Sequence, residues 1–285
     1  MILKSIAATK RILGDALGHY NDDDGWAMAS HVALSSLMAL FPFLIFAATL
    51  ASFLGANAFA DTAVHLVFDT WPERIAAPLA EEVKNVLTVQ QRGLATASFV
   101  AAFYFASSGI EALRVALNRA YRMTESRPLY FRRAQSFGFV LVAALGMLAI
   151  SFLLVLAPLA LKIAEKYMPW IEPYTGTISF WRYLIAFFVL IFGLVAVHFW
   201  LPDGKRRFLT ILPGIIVTLA AWLIGAAVFA AYLERFANYF STYAGLASIM
   251  IALVFLYIVS SIFIIGAELN AAIGRYLDAR GKVRP

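Results

Sequence analysis

Residues 246–267 read LASIMIALVFLYIVSSIFIIGA, a run of 22 residues without a charge. A hydrocarbon core about 30 Å thick takes roughly 20 apolar residues as an α-helix, because in lipid every backbone N–H and C=O must be satisfied within the segment. This block therefore reads as a membrane span. Working outward from it, further blocks of the same kind lie at about 209–233, 184–201, 137–161, 94–115 and 26–53. The expected fold is all-α: a polytopic membrane protein built as a bundle of about six transmembrane helices with amphipathic surface helices. Six spans with short connections use nearly all of the 285 residues, so one membrane domain is expected over 1–285. Composition agrees, at 62% hydrophobic and 14% charged residues, where soluble domains carry roughly 45–50% and 25%.

The segments between the spans are informative too. Residues 1–20 place Ile2, Ile6, Ile12, Leu13 and Leu17 near helical spacing with Lys4, Lys10 and Arg11 between them. That pattern fits a short amphipathic helix on the inner membrane surface, or an ordinary helix packed under the bundle. The first 25 residues hold Asp15, Asp22, Asp23 and Asp24 and lack a compact apolar core, so they do not read as a cleavable signal. Pro42 removes a backbone donor inside the first span and is expected to kink it. Residues 56–92 carry Trp71-Pro72-Glu73, Pro78 and Glu81-Glu82 with apolar residues at helical intervals, and read as an amphipathic segment against the outer face. Leu201-Pro202-Asp203-Gly204 is a turn signal.

Lysine and arginine set the orientation. One alternating set of connections, with both termini, holds 16 of them and the other set 7. Cytoplasmic connections carry the excess, so both termini are expected in the cytoplasm, and the expected location is a bacterial inner membrane. The net charge of +6 is explained in the same way, without nucleic acid as a partner.

Polar groups at membrane depth are costly and face a bundle interior or a watery cavity. The first span carries His31 and Ser35, four apart on one face, and Ser36 beside them. The second ends with Ser107, Ser108, Gly109 and Glu111, then Arg114 and Asn118. Glu111 and Arg114 are three apart and can pair, which lowers the cost of placing either near hydrocarbon. The last span ends with Glu268 and Asn270. Glu268 is read three ways: capping a cavity, pairing with an arginine such as Arg114, or lying at a solvated helix end. The expected substrate pathway is Glu111, Arg114, Asn118, Ser107, Ser108, His31, Ser35, Glu268 and Asn270, with Arg119 and Arg122 attracting a headgroup. For each of these the plainer alternative is helix–helix hydrogen bonding. His198 reads as a residue bonded to a neighbour, and Tyr239 and Tyr243 as an aromatic belt or a vestibule lining.

No catalytic residue can be nominated. The chain has no cysteine, which excludes disulfides and thiolate metal sites. His19, His31, His65 and His198 are scattered without metal-ligand spacing, and no phosphate loop, dinucleotide fingerprint or nucleophile elbow is present. No metal or cofactor is expected.

The polar islands carry a resemblance. They are Ala29-Ser30-His31-Val32-Ala33-Leu34-Ser35-Ser36-Leu37 with Phe41-Pro42; Ser107-Ser108-Gly109 with Leu117-Asn118-Arg119-Ala120-Tyr121; Leu201-Pro202-Asp203; Leu212-Pro213-Gly214; Tyr239 with Tyr243-Ala244-Gly245-Leu246-Ala247; and Gly266-Ala267-Glu268-Leu269-Asn270. In order and spacing the chain resembles the YihY/BrkB family of inner-membrane proteins, historically labelled ribonuclease BN. It departs at His31-Val32, where such sequences often carry Tyr-Tyr. The resemblance implies six helices, an inner-membrane location and a link, in some relatives, to envelope resistance or to moving lipid precursors. The ribonuclease label does not suit the residues, since hydrolysing RNA needs a metal or an acid–base site. The leading expectation is a transporter or flippase of an amphipathic envelope molecule such as an anionic lipid, with membrane lipids as partners. The alternative is a non-transporting scaffold that forms a homo-oligomer or meets an envelope-assembly partner.

Overall fold

The computed structural model describes residues 2–53, 92–240, 244–279 and 281. The outer segment read at 56–92 lies outside them but for Arg92, as does Tyr243. Among the described residues the chain is helical without strands. Helix α1 spans Ile2–Asp22, α2 Gly25–Phe53, α3 Arg92–Ala120 and α4 Leu129–Ser151. A π-helical turn, Phe152–Leu156, joins α4 to α5 (Ala157–Tyr167). A 3₁₀ turn, Pro169–Tyr174, leads to α6 (Thr175–Trp200), followed by α7 (Phe208–Phe240) and α8 (Ala244–Ala279).

Five helical stretches are long and apolar enough to cross a membrane: Thr96–Ala120, Leu129–Leu154, Glu172–Trp200, Phe208–Glu234 and Ile249–Ala279, with Gly25–Leu40 a shorter apolar one. The helices overrun the hydropathy blocks. Helix α6 begins at Thr175, where a window on apolar content starts the span at Leu184, so Arg182 lies inside the helix instead of in a connection. Helix α8 likewise continues to Ala279, twelve residues past the apolar block.

Packing divides the molecule. Helices α2, α3, α7 and α8 pack on one another around Ala29, Ala112, Ala116, Leu117, Ala120 and Ala267, all nearly inaccessible. So many alanines are expected, because spans have little hydrophobic drive to associate in lipid and approach instead through small side chains. Near Gly214 and Gly266 the backbones of α7 and α8 come so close that a Cβ on either would collide with the other helix. Helix α1 lies beneath, its Ala16 packed with Leu269 and Ala272 of α8 and its Asp15 bonded to Arg275 at 2.8 Å. The segment read at 1–20 thus packs against α8, while Leu13 and Leu17 beside the packed face remain exposed. Helices α4 and α6 are peripheral. Ser136 is the single buried residue of α4 among those described.

Candidate functional site

The expected pathway residues fall into separate places. Arg114 is buried to 1% exposure and donates through its terminal nitrogens to Glu111, to the Arg132 carbonyl at 2.8 Å and to the Ser136 hydroxyl, while its Nε has no hydrogen-bond partner among the described residues. The i,i+3 pairing with Glu111 is the one its spacing suggests; the two links to α4 are not visible from sequence. Ser107 and Ser108 turn back onto the Tyr104 carbonyl at 2.7 and 3.1 Å, the usual habit of hydroxyls inside a span. Ser35 faces the α3 backbone at Gly109, while His31 is exposed. Arg119 and Arg122 are exposed at the C-terminus of α3, Arg119 lying 3.7 Å from Asp24. Glu268 is buried to 1%, so the solvated-end reading does not hold. Its Oε2 has no hydrogen-bond partner among the described residues, and Arg114 is bonded elsewhere.

Asn270 opens a buried polar chain that crosses four helices. Pro213 breaks the regular hydrogen bonding of α7, and next to it the Gly214 N–H donates to Asn270 Oδ1 at 2.6 Å. Asn270 Nδ2 donates to the Tyr121 hydroxyl at 3.4 Å, and that hydroxyl shares a hydrogen bond with His198 Nδ1 at 3.1 Å. His198 stacks on Phe263, and the Arg206 guanidinium lies 4.3 Å above the Tyr121 ring.

The same end of the bundle carries a clamp between two connections, 121–128 and 201–207. Asn118 donates to Glu125 at 2.9 Å and accepts the Asp203 N–H at 2.8 Å. Asp203 accepts from the Ser126 N–H at 2.7 Å and from its hydroxyl. Those bonds hold the Asp203 carboxyl down at about 2. Glu125 is also held below the usual carboxylate range: burial opposes its charge, but the bonds from Arg127 and Asn118 outweigh it. Arg127 grips Glu125 through Nε and Nη2 and reaches the Leu201 carbonyl at 2.9 Å.

Beside this clamp a groove of about 830 Å³ opens between α4 and α6. Its mouth holds Arg127, Lys205, Arg206 and Asp203, and its wall holds Phe139, Val142, Phe192 and Phe199. Lys205 is exposed and makes no ion pair among the described residues. Arg206 bonds the carbonyls of Pro202, Asp203 and Gly204 and, among the described residues, no carboxylate. A cationic rim over an aromatic and aliphatic wall suits an amphiphile with an anionic head. Sequence reading missed Glu125, Arg127, Gln135 and Asp203 as site residues. The only signal for them was the Leu-Pro-Asp-Gly turn, which gives no hint of its partners.

The family described as "Virulence factor BrkB" matches residues 16–285. The chain is similar to "Putative ribonuclease-like protein YfkH" of Bacillus subtilis (strain 168), 25% identical over 260 residues, 91% of this chain and 94% of that one. It is also similar to "UPF0761 membrane protein RC1_0578" of Rhodospirillum centenum, 24% identical over 269 residues and 92% of this chain, spanning 57% of the relative's length. No solved structure matches it.

Proposed function

We propose, for a chain that belongs to the virulence factor BrkB family, the movement of an amphipathic envelope molecule with an anionic, phosphate-bearing head across a bacterial inner membrane, as a transporter or flippase without a chemical step. The groove between α4 and α6 carries this reading. Its Lys205 and Arg206 are cations without a carboxylate partner among the described residues, set over Phe139, Val142, Phe192 and Phe199. A phospholipid presents the matching order of charge and hydrocarbon. In this reading the basic end faces the cytoplasm, where the excess of lysine and arginine belongs and where anionic headgroups are met. The chain has no phosphate loop, so movement follows a gradient or is coupled through a partner.

One observation favours the scaffold reading instead. The polar strip of α3 is tied up internally, with Arg114 spent on Glu111 and α4. Lipid transfer in proteoliposomes separates the two. Labelled anionic and neutral phospholipids are followed with the wild type and with the Lys205→Glu/Arg206→Glu double variant. Transfer selective for the anionic lipid and lost in the variant supports transport; a folded wild type that transfers neither lipid overturns it in favour of a scaffold.

A further inference from the structure

We infer that the anionic head travels the seam between α4 and α6 from end to end, and that Arg182 is its receiving site at the far end. This inference rests on the transport reading above and specifies its route. The antiparallel register of the seam is set by the bond from Gln135 Nε2 to the Trp200 carbonyl at 2.6 Å and by Gly146 opposite Val189. Continued one more step, that register brings Arg182 to the level of the π-helical turn Phe152–Leu156, a turn that packs on α6. Such turns are rare and recur where helices do work other than packing.

Arg182, Ala186, Val189, Gly193 and Ala196 recur at helical spacing and share one face of α6. That face is lined with small side chains, and α4 opposes it with Gly138 and Gly146. A Cβ at Gly138 or Gly193 would meet nothing within 4 Å, so at those points the small residues do not serve close contact between helices. The face ends in a buried cation. Arg182 is 8% exposed, and among the described residues its Nε has no hydrogen-bond partner and no carboxylate lies within ion-pair distance. Its recorded neighbour is the Tyr183 ring, 4.6 Å from the guanidinium carbon.

A guanidinium inside a span is costly and marks substrate or ion paths. Its planar fork matches phosphate oxygens two at a time. Eighteen residues of α6 separate Arg182 from the level of Trp200, about 27 Å at 1.5 Å per residue, close to the roughly 30 Å of a hydrocarbon core. The seam thus carries cations without a carboxylate partner among the described residues at both boundaries, Lys205 and Arg206 at one and Arg182 at the other. Between them the groove opens the seam as far as Val142 and Phe192. Beyond it Gly146 meets Val189 in ordinary contact, so passage of a head requires α4 and α6 to part there while the acyl chains remain in the surrounding bilayer.

The test uses the full chain in proteoliposomes holding labelled phosphatidylglycerol or phosphatidylcholine. Arg182→Gln is expected to slow phosphatidylglycerol transfer about tenfold or more, the scale of one lost charge-assisted contact. Arg182→Lys is expected to retain part of the rate. Gly138→Leu and Gly193→Leu place a side chain where a Cβ enters open space and are expected to slow transfer of both lipids, which keeps the route testable should Arg182→Gln fail to fold. A wild type that transfers lipid, with a folded Arg182→Gln at the wild-type rate, or with both glycine variants at that rate should Arg182→Gln fail to fold, overturns the seam and leaves the transport reading standing. A folded wild type that transfers no lipid overturns both.

Discussion

Two arginines inside the bundle, Arg114 on α3 and Arg182 on α6, are about equally hidden from solvent, at 1% and 8% exposure, yet stand in opposite situations. Arg114 has a carboxylate, a hydroxyl and a carbonyl around it, on a helix packed against α2, α4 and α8. Arg182 has no carboxylate within ion-pair distance among the described residues and lies beside the Tyr183 ring, on a seam that is open at Gly138 and Gly193. Among the described residues the Nε of each is without a hydrogen-bond partner, so the difference lies in the carboxylate: a buried cation paired with one is part of the scaffold, and a buried cation without one is an unfinished interaction. The sign and depth of a residue in a span are therefore poor guides to function, and the number of its partners is a better one.

The largest expected effect separates these two arginines. Arg114→Ala removes the nearest donor of Glu111, which keeps Arg132 at 3.8 Å and the Ser136 hydroxyl at 3.4 Å, and empties a buried site on α3. Since Glu111 is partly exposed, the cost falls below the roughly 3–5 kcal/mol of a fully buried pair broken on one side. The substitution is expected to lower thermal stability in detergent, whereas Arg182→Ala is expected to hold stability and lose lipid transfer. An Arg114→Ala protein of wild-type stability would erase the distinction.

A second pair of variants compares crossings instead of charges. Gly214→Ala pushes a methyl into the Gly266 carbonyl and the Asn270 side chain, and overpacking of this kind costs about 1–3 kcal/mol. Gly138→Ala enters open space and gains a better helix former, worth up to about 1 kcal/mol. Opposite shifts in the unfolding midpoint are expected, and equal shifts would mean that the two crossings are equally tight.

The clamp gives a smaller, pH-dependent effect. The Asp203 carboxyl sits at about 2 against an ordinary 3.8 because the Ser126 hydroxyl and N–H hold its charged form. A carboxyl depressed by folding stabilises the fold above its unfolded value and loses that contribution as pH falls from about 4 towards 2. Ser126→Ala is therefore expected to melt below the wild type at neutral pH, with the gap closing as the pH drops through that window. A gap independent of pH would mean that the serine acts through packing alone.

The two regions also differ in how much of them the sequence reveals. Long uncharged runs identify helices that bury their own backbone, so the all-α membrane class follows from composition and run length. The Glu111–Arg114 pair is legible because both members sit on one helix three residues apart. Asn270 and Gly214 are 56 residues apart, and nothing local records that one answers the other's N–H. Arg182 is the clearest loss. A charge lowers the hydropathy of its window, so the reading begins the span at Leu184 and counts the arginine among the connections, although the helix begins at Thr175. The seam is invisible for a related reason: glycine and alanine are as suitable for close packing as for leaving a gap, and only the register decides which.

The smallest expected effect concerns Arg122. It follows α3 with φ at +55°, and the bonds from the Met123 N–H to the Asn118 carbonyl and from the Arg122 N–H to the Arg119 carbonyl close the helix around it. That is a Schellman ending, whose left-handed position usually takes glycine. An L side chain there costs roughly 1–2 kcal/mol, and the extra freedom of glycine in the unfolded chain returns part of it, so Arg122→Gly is expected to stabilise by about 0.5–1 kcal/mol. The gain is measurable as a rise in the unfolding midpoint. Lipid transfer measured on the same variant shows what selects an arginine at a glycine position. Transfer that falls while stability rises means that the charge serves the headgroup at the basic end and outweighs the strain. Transfer that holds means that Arg122 plays no part in recognition and that the cations of the seam suffice.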